Sequence, residues 1–306
     1  MVFLFARRLV QSALILLGVA AITFVLLYAL PADPARMLAG RSATAQTVAS
    51  IRHQLGLDQP LLMQFWHYLS GLLQGNLGRS YAQKTEVWTL IAARLPATLT
   101  LMAAGIFVEV VLGLIFGTIA AIYRGSAIDR LVMMAAFVGV SAPQFVVALL
   151  LLYLFAVTLG WFPMSGYGSF ANIVLPAVTL GVLGAGWYAR MVRSAMIDVL
   201  NQDYIRTARA KGLSSRRIIL RHALPNAILP IVAMIGIDIG QFMGGVVVVE
   251  AVYGWPGIGQ LAWQAIQQID IPIIMGVTLT SALAIIIGNL LADLIAPVID
   301  PRIRTQ

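Results

Sequence analysis

The chain of 306 residues has no cysteine and only three histidines, and these shortages exclude several kinds of chemistry. Without cysteine the protein can form no disulfide, no thiolate nucleophile and no cysteine-ligated metal site. His53, His67 and His222 are far apart in the sequence, and none falls in the middle of an apolar run. There is also no His-Glu-x-x-His sequence and no clustered aspartate motif, so we expect no metal site.

The sequence also lacks the phosphate-binding pattern Gly-x-x-x-x-Gly-Lys-Ser/Thr. The backbone of that loop holds the phosphates of a nucleotide, and a chain without it is not expected to hydrolyse ATP. We therefore expect no cofactor in this chain and no enzymatic activity. If the protein moves a solute uphill, the energy must come from a partner subunit or from an ion gradient.

Charged residues are scarce as well. They make up 10% of the chain, whereas 60% of the residues are hydrophobic. A soluble domain carries roughly 25% charged residues, so this composition is typical of a protein that crosses a membrane several times. The formal charge of +8 could suggest nucleic acid. Most Arg residues flank apolar runs, however, so the expected partner is the lipid bilayer and not nucleic acid.

Six apolar runs are long enough to cross a bilayer. They cover residues 9–30, 96–122, 131–158, 173–195, 224–249 and 272–296. A cleaved signal peptide is the alternative for the first run. That run is longer than the apolar region of a signal peptide, and it ends at Leu30-Pro31 instead of a small-residue cleavage site, which favours an uncleaved span.

The distribution of positive charge predicts the orientation. Arginines precede the first span and follow the last one, at Arg302 and Arg304, while the short loops at 159–172 and 250–271 contain no Lys or Arg. Cytoplasmic loops carry the excess of Lys and Arg. We therefore predict an all-α polytopic membrane protein with six transmembrane helices and both termini inside.

Residues 31–95 interrupt the apolar pattern and predict a small extracytoplasmic segment of short helices. This segment can also lie on the membrane face, with Trp66 and Tyr68 as interfacial anchors, and the two interpretations are compatible. We divide the chain into residues 1–95, the first span with this segment, and residues 96–306, the remaining five spans.

The most informative stretch is the basic segment, residues 203–226, which lies between two apolar runs on the predicted cytoplasmic side. Six cations stand in it among small residues, which allow a partner to approach closely. We predict a helix over 198–211 that ends at Gly212, because glycine tolerates the left-handed conformation after a helix. Ser214 is expected to cap a second helix. The alternative is a loop that binds only anionic lipid headgroups.

Two carboxylic residues lie within predicted spans, Glu109 in the second and Asp238 in the fifth. A charged group at the bilayer centre costs about 3 kcal/mol, so each is expected to face the bundle interior or a wet cavity. Either they line a pathway and favour a cationic group such as the ammonium end of a peptide, or they make a helix-to-helix hydrogen bond that fixes packing.

The chain resembles the inner-membrane permeases of binding-protein-dependent ABC importers, in the group for dipeptides, oligopeptides, glutathione and nickel. Four runs carry the resemblance: the first span into PADPAR, the LGLDQP region, RTARAKG followed by RHALPNA, and VEAVYGWPGIG. The family's cytoplasmic pattern is Glu-Ala-Ala, three residues, Gly, and later Leu-Pro. Ala208, Gly212, Leu224 and Pro225 match this pattern, whereas Arg206 and Thr207 stand where it has Glu and Ala.

The resemblance implies a type I ABC importer permease fold in the bacterial inner membrane, with a coupling loop at 197–222. It also implies a homologous second permease, two ATPase subunits that hold ATP and Mg, and an extracytoplasmic solute-binding protein. The expected substrate is a short peptide. Glutathione or a nickel chelate remains open, as does a different class, a stand-alone ion-coupled carrier.

The resemblance further implies roles for individual residues. The residues expected to contact the ATPase are Asp203, Arg206, Thr207, Ala208, Ala210, Lys211, Gly212 and Leu213. The residues expected at an outer gate or binding-protein docking face are Glu250, Tyr253, Trp255, Pro256 and Gly257. An interfacial re-entrant turn is the alternative for this second set.

Overall fold

The computed structural model describes residues 2–29, 33–40 and 42–299. Four residues used in the predictions above, Leu30, Pro31, Arg302 and Arg304, lie outside the described residues. Within these ranges the chain is helical, and the β-structure there is a single bridge between Arg79 and Glu86.

The helices are numbered in chain order. They are α1 Val2–Ala29, α2 Pro34–Ala39, α3 Ala45–Gln54, α4 Leu61–Leu73, α5 Val87–Ile122, α6 Ala127–Ser141, α7 Gln144–Leu151, α8 Phe170–Leu200, α9 Asp203–Ala210, α10 Ser215–Ile218, α11 Leu224–Ala227, α12 Leu229–Gly245, α13 Val247–Val252, α14 Ile258–Gln268 and α15 Ile271–Ile299. Two π-helical segments, Leu152–Thr158 and Ile219–Ala223, continue α7 and α10.

Four of the described helices, α1, α5, α8 and α15, are each long and apolar enough to cross a membrane. Two further candidates are bent pairs: α6 with α7 and its π-helical continuation, at 104°, and residues 215–227 with 230–243, at 52°. If each pair is one span, the total is the six that the sequence predicts. The second span begins earlier than predicted, since α5 starts at Val87.

Prolines lie at or beside both bends. Ala142 precedes Pro143 and is extended, with φ −72° and ψ 133°, because the proline ring disfavours the helical conformation in the residue before it. Pro143 is then the N-cap of α7. Pro225 and Pro230 lie in the first turns of α11 and α12, where a missing N–H costs little, and their placement in the first turns confirms the prediction.

The contacts divide the chain into two compact units. The first contains Met1–Thr98 and Pro256–Ile286, and the second contains Leu99–Trp255 and Ile287–Gln306. The division at residues 95 and 96 stays a prediction.

In the first unit, the segment after α1 contains the short helices α2, α3 and α4, as expected. Phe24 of α1 packs against Phe65 and Tyr68 of α4, with ring centroids 5.1 and 6.3 Å apart. Trp66, on the same helix, is 66% exposed. Trp66 therefore has the exposure of an interfacial anchor, whereas Tyr68 belongs to a small core.

Asp270 organises a second part of the first unit. Its fully buried carboxylate accepts hydrogen bonds from the Ser80 hydroxyl at 2.5 Å and from the N–H groups of Tyr81 and Ala82 at 3.2 and 3.0 Å. These bonds hold the loop that contains residues 80–82 against the start of α15.

In the second unit, glycines bring α5 and α8 into close contact. A Cβ at Gly113 would lie 2.2 Å from the Tyr188 Cβ, and one at Gly117 would lie 2.6 Å from the Ala189 carbonyl oxygen. On the facing helix, a Cβ at Gly184 would meet Glu109. Small residues at such positions let two backbones approach within a membrane, where packing drives helix association.

Candidate functional site

Glu109 and Asp238 line the same cavity of about 410 Å³ in the second unit. Their carboxyl groups are close enough to interact, and the Tyr188 hydroxyl donates a hydrogen bond to Oδ2 of Asp238. Glu109 is 3% exposed and shares a hydrogen bond with Asp238, and its Oε2 has no hydrogen-bond partner among the described residues. Helices α5, α8 and α12 therefore bring three polar groups together at one place.

The rest of the cavity wall combines apolar, aromatic and amide side chains. The other lining residues are Val140, Ala142, Gln144, Leu180, Leu183, Gly184, Trp187, Met234, Ile237, Gln241 and Phe242. None of the described lining residues is Lys, Arg or His. The cavity therefore pairs two acids with apolar and aromatic surface and two amides, a composition suited to a small organic group.

The basic segment forms an elbow of two short helices, and Gly212 makes its turn. Gly212 has φ +77°, its N–H donates to the Arg209 carbonyl at 2.9 Å, and the Leu213 N–H donates to the Ala208 carbonyl at 3.3 Å. Together these bonds form a Schellman motif, which ends α9 with a defined direction. The prediction that Gly212 ends the helix is confirmed.

Two local predictions in this segment were wrong. The helix does not run from 198 to 211, because α8 continues to Leu200 and α9 begins only at Asp203, after an extended Gln202. Ser214 is the N-cap of α10, as predicted, but its side chain does not accept the expected hydrogen bond from the first turn. Ser214 is exposed, so the free N–H groups of that first turn can bond to water instead.

One face of the elbow is anchored and the other is free. Ile205 is fully buried and Ala208 nearly so, and both join a cluster with Val192 and Met196 of α8 and with Ile218. Full burial of one isoleucine contributes about 2 kcal/mol. The elbow is therefore fixed to α8 as a rigid body.

The exposed face carries most of the residues expected to contact an ATPase. These are Asp203, Arg206, Thr207, Ala210, Lys211 and Gly212, whereas Leu213 is half-buried and Ala208 is buried. Arg206 and Asp203 form an exposed ion pair at 3.4 Å, which contributes little to stability. Ala208 therefore serves packing within the chain.

The outer turn is largely buried. In the second unit, Tyr253 donates its hydroxyl hydrogen to the Ala148 carbonyl at 3.0 Å and lies 2.9 Å from the Thr179 hydroxyl. Glu250 is fully buried, and the Trp255 N–H donates to its carbonyl oxygen at 2.8 Å. These contacts make the turn rigid.

In the first unit, Gly257 is the N-cap of α14 and is preceded by the half-buried Pro256. The N–H of Ile258 donates to the Thr98 hydroxyl at 2.8 Å. The N-terminus of α14 is therefore tied to α5. A docking face for another protein needs exposed side chains, and in this turn Glu250, Tyr253, Trp255 and Gly257 are buried in the single chain.

Sequence reasoning missed two groups of residues. The first is Tyr188, whose hydroxyl donates to Asp238. In the sequence, the feature that could have indicated Tyr188 is a hydroxyl group in the middle of an apolar run. Arg193 and Asp129 form a two-bond ion pair, with Nε to Oδ1 at 2.6 Å and Nη2 to Oδ2 at 2.7 Å. Because the partners are 50 and 64 residues apart, no local spacing connects them.

Two family models match this chain. The family model described as "Binding-protein-dependent transport system inner membrane component" matches residues 113–305. A model of the N-terminal part of such membrane components matches residues 1–102.

Among the similar proteins is the glutathione transport system permease protein GsiC of Salmonella typhimurium, which is 43% identical over 298 residues and 97% of each chain. The protein of the same name from Escherichia coli K12 is 42% identical over 298 residues, which again is 97% of each chain.

Two of the similar solved structures are inward-facing forms of the MetNI methionine ABC transporter. One has a TM-score of 0.59 at 20% identity, covering 69% of this chain and 96% of the other. The second has a TM-score of 0.58 at 23% identity, covering 69% and 97%. These two likenesses show the fold.

Proposed function

The chain belongs to the family of inner-membrane components of binding-protein-dependent transport systems, and we propose that its substrate is a short peptide such as glutathione. It is a multi-pass permease subunit of an ABC importer with the type I fold. Its relatives at 42–43% identity are named glutathione permeases, and glutathione is itself a tripeptide. These relatives support this substrate class, and so do the four sequence runs that resemble permeases of the peptide, glutathione and nickel group.

The observation that carries the mechanism is the rigid elbow around Gly212. A segment that passes motion from one protein to another must not absorb that motion. Here the Schellman turn fixes the angle between two short helices, and Ile205 fixes the elbow to α8. We infer that the exposed face around Arg206 and Lys211 docks on an ATP-hydrolysing subunit.

The partners that we propose are a homologous second permease, two ATPase subunits and an extracytoplasmic solute-binding protein. ATP and Mg belong to the ATPase subunits, and this chain carries no cofactor. ATP binding closes the ATPase pair and draws the coupling segments together, which switches the pathway from inward-facing to outward-facing.

The cavity beside α8 is the part of the pathway that we assign to this chain. Glu109 and Asp238 line it, and Ile237, which also lines it, is 62% exposed in the single chain. Because an exposed apolar side chain on a cavity wall marks a contact surface, we assign the completion of this wall to the second permease. For the outer turn we propose a role as a rigid outer gate, because buried contacts hold it.

Co-purification followed by uptake tests this proposal. The tagged chain is isolated from native membranes in mild detergent, and the proteins that accompany it are identified by mass. The recovered complex, with its binding protein, is then tested in liposomes for ATP-driven uptake of glutathione, a dipeptide, an oligopeptide and a nickel chelate. We expect a second permease, ATPase subunits, and uptake of one of the peptides. Recovery of this chain alone, or uptake of nickel without any peptide, would refute the proposal.

A further inference from the structure

An apolar groove runs along the second unit between α5 and α6. Its volume is about 340 Å³, and the described residues that line it are all apolar or glycine. Ala185, Gly186 and Ala189 of α8 are buried and form its floor. Phe116 of α5 and Leu131 of α6 are 43% and 64% exposed and form its edges. The groove shares no described lining residue with the cavity assigned to the pathway, so it is a separate feature.

Small side chains create this groove. Gly186 lets α6 approach α8, since a Cβ there would lie 2.3 Å from the Ala136 carbonyl oxygen. Gly117 lets α5 approach the same helix. Between α5 and α6, the residues that face the groove include Ala135 and Gly139, which are too short to fill it. The groove therefore results from the close packing of both helices on α8.

The width of the groove favours a hydrocarbon chain over a helix. The groove follows α6 for about two turns, from Leu131 to Gly139, which is about 12 Å at 1.5 Å per residue. A volume of about 340 Å³ over that length corresponds to a width of about 6 Å. A helix with its side chains is about 10–12 Å across and cannot enter. An extended hydrocarbon chain is thin enough to enter and gains dispersion contacts with the apolar walls.

The cytoplasmic end of the groove is positively charged. The loop that joins α5 to α6 crosses this end and contains Arg124, and Arg130 lies in the first turn of α6. Asp129 is the carboxylate at this place, and Arg193 already holds it through two hydrogen bonds. Arg124 and Arg130 are exposed, and neither forms a direct ion pair within the described ranges. Both cations are therefore available to an anionic group.

We propose that this groove binds one acyl chain of an anionic phospholipid from the inner leaflet, with Arg124 and Arg130 beside the phosphate group. Basic pockets between transmembrane helices on the cytoplasmic side bind anionic lipid headgroups. Here the cations lie at the membrane surface and the apolar walls lie below them, which is the order of headgroup and chain in such a lipid. The bound lipid fills the space between three helices of the permease.

Native mass spectrometry of the purified complex tests this proposal without transport. The complex is titrated in detergent with dioleoyl phosphatidylglycerol, which is anionic, and with dioleoyl phosphatidylcholine, which has the same chains and no net charge. Arg124→Gln and Arg130→Gln each remove a cation, and Ala135→Phe places a ring in the groove. The controls are Arg36→Gln, an exposed cation of the first unit, and Met134→Trp, which adds volume on the opposite face of α6.

We expect tight binding of phosphatidylglycerol to each copy of this chain, at least about tenfold tighter than that of phosphatidylcholine. Each arginine variant should weaken binding of phosphatidylglycerol about fivefold and leave that of phosphatidylcholine unchanged, since one cation near the surface is lost. Ala135→Phe should weaken binding of both lipids at least about fivefold, because it removes buried chain contacts. Both control variants should bind the two lipids as the unaltered chain does.

Any of four results would overturn the proposal. Three are equal affinity for the two lipids, unchanged affinity in both arginine variants, and unchanged affinity in Ala135→Phe. The fourth is loss of the second permease from the Ala135→Phe complex with lipid binding intact, which would assign the groove to a contact between permeases. If Ala135→Phe yields no complex, phosphatidylglycerol with a diazirine on one chain is photolysed on the unaltered complex. Labelling of α5, α6 or α8 then supports the proposal, and labelling confined to other helices overturns it.

Discussion

Arg193 holds Asp129 through two parallel hydrogen bonds, 2.6 Å from Nε to Oδ1 and 2.7 Å from Nη2 to Oδ2. The Gly125 N–H donates to the same carboxylate at 2.8 Å. Asp129 is 4% exposed, so this charge is screened little by solvent. The pair ties the turn before α6 to the part of α8 that leads into the coupling segment.

Asp129→Ala should destabilise the second unit. The substitution removes the acceptor for two charged donors of Arg193 and for one backbone N–H. Breaking a buried ion pair costs about 3 kcal/mol of folding free energy. The cost is lower here, because the Arg193 side chain is 29% exposed. We expect a lower melting temperature of the purified complex and weaker stimulation of ATP hydrolysis by substrate. Glu86→Ala, which removes an exposed carboxylate in the first unit, is the control and should change neither quantity. An unchanged melting temperature for Asp129→Ala would show that the pair does not stabilise the fold.

Gly212→Leu should weaken coupling without preventing insertion. The left-handed conformation at φ +77° costs a residue with a Cβ about 1–2 kcal/mol, although nothing lies within 4 Å of the added atom. Gly212→Asn is the matched control, because asparagine adopts this conformation more readily. The measurement is substrate-stimulated ATP hydrolysis by the assembled importer. Equal activity in the Leu variant would count against a rigid elbow.

Gly184→Ala should disrupt the contact between α5 and α8. Its Cβ would lie 1.8 Å from Oε1 and 2.2 Å from Cδ of Glu109, and overpacking of this kind costs typically 1–3 kcal/mol. Gly18→Ala is the control, since nothing lies within 4 Å of a Cβ at Gly18 in α1 and alanine favours a helix. Thermal unfolding of the complex should separate the two variants by several degrees. Equal melting temperatures would show that Glu109 can move aside freely.

Asp270→Ala should release the loop that contains Ser80. Three donors, from Ser80, Tyr81 and Ala82, lose their acceptor in this variant. We expect faster trypsin cleavage after Lys84 in spheroplasts, where the protease reaches only the outer face. Asp58→Ala is the control, because it removes an exposed carboxylate of the same unit that forms a surface ion pair with His53. Cleavage at the same rate in both variants would argue that other contacts hold the loop.

The sequence is most informative where a single residue sets the local backbone. The six apolar runs correspond to four long helices and two bent pairs, and Gly212 and the prolines 225 and 230 lie at the predicted turns. These features depend on neighbours in the chain. The presence of a bend at Ala142-Pro143 also follows from a local effect, the restriction that proline places on the residue before it. Its angle of 104° depends on the tertiary structure.

Contacts between distant helices could not be predicted in this way. Tyr188 of α8 and Asp238 of α12 meet because these two helices pack together, and no spacing in the sequence encodes that meeting. The burial of the outer turn could not be predicted either, because Tyr253 forms its hydrogen bonds with residues of α7 and α8. The roles predicted for the coupling, pathway and outer-turn residues remain predictions.

The most direct measurement is a photo-cross-link from the exposed face of α9. Benzoylphenylalanine replaces Ala210 in one version of the chain and Gln74, exposed in the extracytoplasmic segment, in the other. Illumination of intact cells followed by mass identification reports what lies beside each position. We expect an adduct between position 210 and an ATP-hydrolysing subunit, and no such adduct from position 74. If position 210 gave no such adduct while ATP-driven uptake was intact, this segment would not be the one that couples the membrane to ATP hydrolysis.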